Sequence, residues 1–150
     1  MAFLQETKIL PYSAKQMYEL VIDIEKYDEF LPWCKKARII ERFSDNNLHA
    51  ELLINFKNFF EKYISDVNFN KLENGDYFVD VVAIKGPFKS LINKWKFSEL
   101  GDNQCRVDFF LEFEFNSKML SNMLGAIFSS AIKKMMFAFE QRASVLYSNL

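Results

Sequence analysis

Between Lys35 and Phe115 the polar and apolar residues of this chain alternate with a period of two, and from Ser117 to Tyr147 the period lengthens to that of an α-helix. That change of rhythm restricts the fold more than any other feature: a run of strands comes first, then a helix long enough to lie across them. The cleanest strand sets Val107, Phe109, Leu111, Phe113 and Phe115 against Asp108, Phe110, Glu112 and Glu114. The segments 48–56 and 91–98 alternate in the same way. Turn signals at Asp45-Asn46-Asn47, Lys57-Asn58, Asn74-Gly75, Lys85-Gly86-Pro87 and Gly101-Asp102-Asn103 divide the stretch into six consecutive antiparallel strands.

Ahead of them, residues 3–10 read as a further strand stopped by Pro11. Ser13 and Gln16 have the spacing of a capping box, flanked by Tyr12 and Met17 as a hydrophobic staple, which predicts a first helix to about Asp23. A one-turn helix over 25–31 places Tyr27, Phe30 and Leu31 on one side, and Pro32 ends it. In the terminal helix, Leu120, Leu124, Ile127, Phe128, Ala131, Ile132, Met135, Ala138, Phe139, Val145 and Leu146 share one arc, with Arg142 inside it. The order predicts a single α+β domain over residues 1–150, in which a curved seven-stranded antiparallel sheet wraps the long C-terminal helix and leaves a cavity between them.

Composition narrows the function classes. Seventeen phenylalanines in 150 residues suit a large-residue core or the walls of a cavity. A net charge of −1 gives no global attraction to nucleic acid or anionic membrane, so such contacts need a local patch. No signal or transit peptide is legible, and no apolar run approaches the ~20 residues that span a bilayer, which predicts a soluble chain. The two cysteines, Cys34 and Cys105, have neither zinc-site nor disulfide-framework spacing, and are expected to be free thiols in a reducing compartment. No nucleophile motif, phosphate-binding loop or dinucleotide fingerprint occurs, and the sole histidine, His49, falls on a strand's solvent face; no cofactor, metal or catalytic residue is predicted.

Alternate turns of an up-and-down meander lie at the same end of the sheet. One end therefore collects Leu31–Cys34, Phe56–Phe59, Lys85–Phe88 and the start of the long helix, a cluster of Phe30, Leu31, Trp33, Phe56, Phe59, Phe60, Phe88, Met119 and Leu120, with Lys35, Lys57, Lys85 and Lys89 around it. These residues either cap the end of the core or form an exposed apolar rim, which marks an entrance, a partner site or a membrane contact; the exposed rim is the working expectation. Polar residues at inward positions point to the ligand: Glu61 in register with Phe59 and Tyr63, Asn93 with Trp95, and Arg142, a pure donor suited to a ligand's carbonyl oxygens or to a carboxylate such as Glu61. The candidate ligand-binding set is Phe30, Trp33, Phe56, Phe59 and Phe88 at the rim, Glu61, Tyr63, Asn93, Trp95 and Phe113 on the strands, and Leu124, Phe128, Met135 and Arg142 on the helix.

The pieces Asp23-Ile-Glu-Lys-Tyr-Asp-Glu-Phe-Leu-Pro-Trp-Cys34, Lys85-Gly-Pro-Phe-Lys-Ser-Leu91, Trp95-Lys-Phe97 and Phe113-Glu-Phe115 resemble the signature of the coenzyme Q-binding START-like family, close to the bacterial ribosome association toxins and the wider polyketide cyclase group. The resemblance covers essentially the whole chain. It implies a helix-grip fold and a non-catalytic binder of ubiquinone or a related isoprenoid lipid that supports respiratory electron transport and touches a membrane to load and release. It also implies a place at the cytoplasmic face of a bacterial inner membrane, or the matrix face in a mitochondrion. The same resemblance leaves open a translation inhibitor that binds the large ribosomal subunit, and a small cyclase or hydratase.

Overall fold

The computed structural model describes residues 2–56 and 59–148. Strand β1 (Ala2–Leu10) leads through Pro11 into helix α1 (Ala14–Ile22), whose first turn is closed by the predicted capping box: the Ser13 side chain accepts from the Gln16 amide, and the Gln16 side chain accepts from the Ser13 amide. A 3₁₀ helix follows (Ile24–Glu29), starting one residue before and ending two residues short of the helix expected over 25–31. Then come β2 (Cys34–Ser44), β3 (Asn47–Phe56), β4 (Phe59–Lys71), β5 (Tyr77–Lys85), β6 (Phe88–Gly101) and β7 (Gln104–Phe115), all antiparallel, in the spatial order β1-β7-β6-β5-β4-β3-β2. The β6–β7 hairpin turns through Asp102 and Asn103, both with positive φ, a conformation that Asp and Asn tolerate better than most residues and that matches the twist of a tight hairpin.

The curved sheet presents its alternating apolar positions to the helices: β3 and β7 bury every second residue, and Ile54 on β3, Phe97 on β6 and Val107 on β7 are fully inside. Strand β2 sits at the sheet's edge and is interrupted by register shifts near Cys34, Ile39 and Arg42, irregularities that bend an edge strand. Against the concave face lie α2 (Lys118–Lys133) and α3 (Met135–Tyr147), with Ser117 capping α2 by accepting from the Leu120 amide at 3.1 Å.

The terminal helix is thus broken at Lys134. Its amide donates back to the Ala131 carbonyl at 3.1 Å, the i−3 pattern of a tightened turn, and α3 starts with a new phase. The consequence is visible in burial. An uninterrupted helix puts Phe139, Val145 and Leu146 on the apolar arc; Phe139 is buried there, but Val145 and Leu146 are 70% and 42% exposed, and Met136 and Ala143 turn inward instead.

Cys34 and Cys105 are free and buried, and burial pushes both thiols up to about 12. The folded chain is therefore expected to resist a thiol reagent at pH 8, while denaturant without reductant releases both thiols to titration. Fast reaction of the native chain would contradict the burial of both groups.

Candidate functional site: a groove beside the broken helix

The segment after the 3₁₀ helix decides where a ligand fits. Leu31 and Trp33 fold inward, 2% and 9% exposed, and the Trp33 carbonyl accepts from the Asn55 amide at 2.9 Å, fastening the loop to the end of β3. Phe56 is buried as well. The rim expected to be an exposed apolar patch is therefore mostly wall: its loop has no alternating period to reveal which side chains turn inward, and large aromatic side chains gain by doing so. Of the expected rim aromatics Phe60 stays exposed, as does Met119, while Lys57 lies outside the described residues.

Between this loop and the helices runs an open groove of about 770 Å³. One wall is Phe30, Pro32, Trp33 and Phe56; the other is Ile127, Ala131, Met135 and Ala138 on α2 and α3, with Phe137 and Val145 at the lip. Ala131 and Ala138 make the room, since small side chains seven residues apart along this helical segment leave space where larger ones would meet the loop. The expected cavity under the helix is much smaller, about 50 Å³, enclosed by residues including Tyr27, Tyr63, Ser65, Asn93, Phe128 and Ile132. Trp33 and Met135 line both spaces and so form the partition between them. Ligand pockets are typically several hundred Å³, which the groove satisfies and the interior does not.

The polar residues of the groove are Glu29, Asn55, Ser130, Lys134, Gln141 and Arg142, and two of them form an ion pair. The Arg142 Nη2 donates to Glu29 Oε1 at 2.9 Å, and its guanidinium lies 5.4 Å from the centre of the Phe30 ring. Its Nε is buried with no acceptor, and the Asn55 Oδ1, on another part of the groove's lining, is buried with no donor. The Arg142 hydrogen bond, helped by Lys26, holds the Glu29 carboxyl below its ordinary range. A depressed carboxylate pKa adds stability that is present above the unfolded value and lost as pH falls through the folded one. The expected carboxylate partner, Glu61, instead faces the Lys85–Pro87 turn and Leu120, away from Arg142.

The remaining candidates divide. Asn93 is buried and committed within the fold: its Nδ2 donates to the Phe110 carbonyl and its Oδ1 accepts from Trp95 Nε1, both at 2.9 Å. Trp95 stacks on Phe97 and meets Phe109 and Phe139 edge-on, a core role. Phe88 and Phe113 join Phe115 and Phe128 in an aromatic cluster, and Phe59 and Leu124 pack against the same core. Thus Phe30, Trp33, Phe56, Met135 and Arg142 meet in the groove, and Trp33, Tyr63, Asn93, Phe128 and Met135 around the small interior space, whereas Phe59, Glu61, Phe88, Trp95, Phe113 and Leu124 reach neither.

Sequence reasoning missed Glu29, Asn55 and Ser65. Glu29 stands beside Phe30 in the Asp-Glu-Phe-Leu-Pro-Trp stretch, but only the fold brings Arg142 to it. Ser65 had a signal, a polar residue at an inward strand position; its hydroxyl is 1% exposed and unpartnered in the interior space. Among the described residues no group of three His, Cys, Asp or Glu side chains is placed to hold a metal ion.

Comparison with known proteins agrees with this architecture. Residues 10–140 match the family described as polyketide cyclase / dehydrase and lipid transport. The chain is 44% identical over 141 residues to the ribosome association toxin RatA of Rickettsia prowazekii, covering 93% of this chain and 94% of that one. It is 32% identical over 146 residues to the coenzyme Q-binding protein COQ10 homolog B, mitochondrial, of Xenopus laevis, covering 95% of this chain and 58% of that one. The structure superposes on a START superfamily protein from Mycobacterium smegmatis with a TM-score of 0.78 at 19% identity, over 96% of this chain and 98% of the other, a likeness of fold. With residues 10–140 matched and a relative 44% identical over nearly its whole length, the chain belongs to the polyketide cyclase / dehydrase and lipid transport family.

Proposed function

We propose that this chain binds a hydrophobic small molecule, ubiquinone or a related isoprenoid lipid, in the groove between the Phe30–Trp33 loop and the C-terminal helices, as a carrier rather than a catalyst. The observation that carries the reading is the groove itself: about 770 Å³, walled largely by aromatic and aliphatic side chains, with the paired Arg142 and Glu29 among its lining. Apolar walls take the tail and ring, while the guanidinium donates to oxygens of the head. Glu29, the carboxylate of the groove, is engaged by Arg142 and Lys26, which leaves no acid and base poised against one another.

Trp33 supplies the test. Quinones quench indole emission on contact, Trp33 lines the groove, and the second tryptophan, Trp95, is 2% exposed in the core. A short-tailed ubiquinone analogue is expected to quench the folded chain saturably, and Trp33→Phe to remove most of that response. Unsaturable quenching of equal size in both chains would sink the reading.

Arg142→Met separates head recognition from folding. Its partner Glu29 is about half exposed, so the abandoned carboxylate remains hydrated; the thermal midpoint is expected to move little while quinone retention falls. A large drop in midpoint with unchanged retention would return Arg142 to a purely structural role.

A second reading, binding to the large ribosomal subunit, is favoured by the 44% identity to a protein named as a ribosome association toxin. Salt-sensitive co-sedimentation with large subunits, by a preparation that carries no lipid, would put it first.

A further inference from the structure

The loop rim cannot serve as a membrane anchor while Leu31, Trp33 and Phe56 are buried, but another face offers what that rim lacks. On the outer side of α2, Met119 and Met123 are 65% and 56% exposed. At about 100° per residue they lie on one stripe with Ser130, a residue of the groove's lip. Beyond the break at Lys134, Phe137 and Val145, 56% and 70% exposed, edge the same groove. The segment 117–148 carries Lys118, Lys133, Lys134 and Arg142 against a single carboxylate, Glu140, which Lys8 engages at 3.4 Å. In a chain whose net charge is −1, this segment holds four of the 19 lysines and arginines but only one of the 20 carboxylates, so its positive sign comes from the scarcity of acids.

We propose that this outer face of the two C-terminal helices docks on an anionic lipid surface, with the groove opening toward the bilayer. Exposed methionine and phenylalanine side chains gain free energy by entering the boundary between headgroups and acyl chains, and the flanking lysines gain from anionic headgroups. A phosphate backbone would reward the lysines but not the apolar stripe, which is why lipid is favoured over RNA as the occupant. The inference rests on the groove reading only for what is delivered, because Met119, Met123, Lys118 and Lys133 do not line the groove.

Flotation with phosphatidylcholine vesicles, and with vesicles containing about 30% phosphatidylglycerol, tests it. The chain is expected to float with the anionic vesicles, weakly with the neutral ones, and less at high salt. Met119→Ser with Met123→Ser, and separately Lys118→Gln with Lys133→Gln, are each expected to cut binding about tenfold. If the serine pair lowers the melting temperature, Met119→Ala with Met123→Ala retains helix propensity and is expected to give the same loss. Absence of flotation, indifference to headgroup charge, or unchanged binding by both pairs overturns the proposal. So does lysine-dependent co-sedimentation with large ribosomal subunits without flotation, which assigns the face to RNA. Quinone retention measured on the same preparations keeps the two ideas apart: lost flotation with retained quinone supports the face, whereas lost retention by Ala131→Trp, with flotation intact, belongs to the groove.

Discussion

Truncating Phe139 to alanine is expected to lower stability by ~3–5 kcal/mol, the range for removing a large aromatic side chain from a packed core. Phe139 is fully buried and stands where three parts of the fold meet: its ring lies 5.3 Å from Tyr27, 5.1 Å from Phe30 and 4.9 Å from Trp95, all edge-on. It joins α3 to the 3₁₀ helix on one side and to the sheet on the other. Loss of the ring also removes the support under Phe30, which carries the guanidinium of Arg142, so quinone retention is expected to fall even in the fraction that remains folded. Urea midpoints measure the first effect; a change under about 1 kcal/mol would mean that α3 is not anchored through this residue.

Gly86→Ala is expected to be almost as damaging, for a different reason. Gly86 adopts φ of +133°, a conformation that side chains other than hydrogen rarely accept, and a Cβ built there meets the Tyr63 Cβ at 2.5 Å and the Lys62 carbonyl oxygen at 2.9 Å. Backbone strain of ~1–3 kcal/mol adds to an overpacking cost of similar size, because the obstacle is the β4 backbone and not a flexible tip. The turn around Gly86 also holds the start of α2: the Pro87 carbonyl accepts from the Asn116 amide at 2.8 Å, and the Gly86 carbonyl from the Asn116 side chain at 3.2 Å. A thermal midpoint close to that of the parent chain would show that the turn can shift away from β4.

These two residues also mark what could be read from the sequence. The meander was legible because side-chain alternation is a local property: pairs such as Phe97 with Val107 and Leu52 with Tyr63 follow once each strand's inward face and turn are known. The capping box at Ser13 was legible for the same reason. The break at Lys134 was not. No proline or glycine stands there, and the new phase of α3 is set by which residues the sheet and the 3₁₀ helix accept: Phe139 stays inward as expected, while Met136 and Ala143 take the place of Val145 and Leu146. The pairing of Arg142 with Glu29 joins residues 113 positions apart and leaves no periodic trace. Parity put the Phe30–Trp33 loop at the correct end of the sheet, but an irregular segment has no rhythm from which burial can be inferred, so a wall was expected to be an exposed rim. The groove then falls beside the helix and not under it, because Trp33 and Met135 fill the passage between.

Extraction of lipid from the purified, folded chain, followed by mass spectrometry, tests the central claim most directly. An isoprenoid quinone or a related lipid is expected in near-stoichiometric amount, and is expected to be lost from Ala131→Trp, whose indole would fill the groove at the position that Ala131 leaves open. Equal amounts of lipid in the parent chain and in Ala131→Trp, or none in either while both chains sediment with large ribosomal subunits, would contradict it.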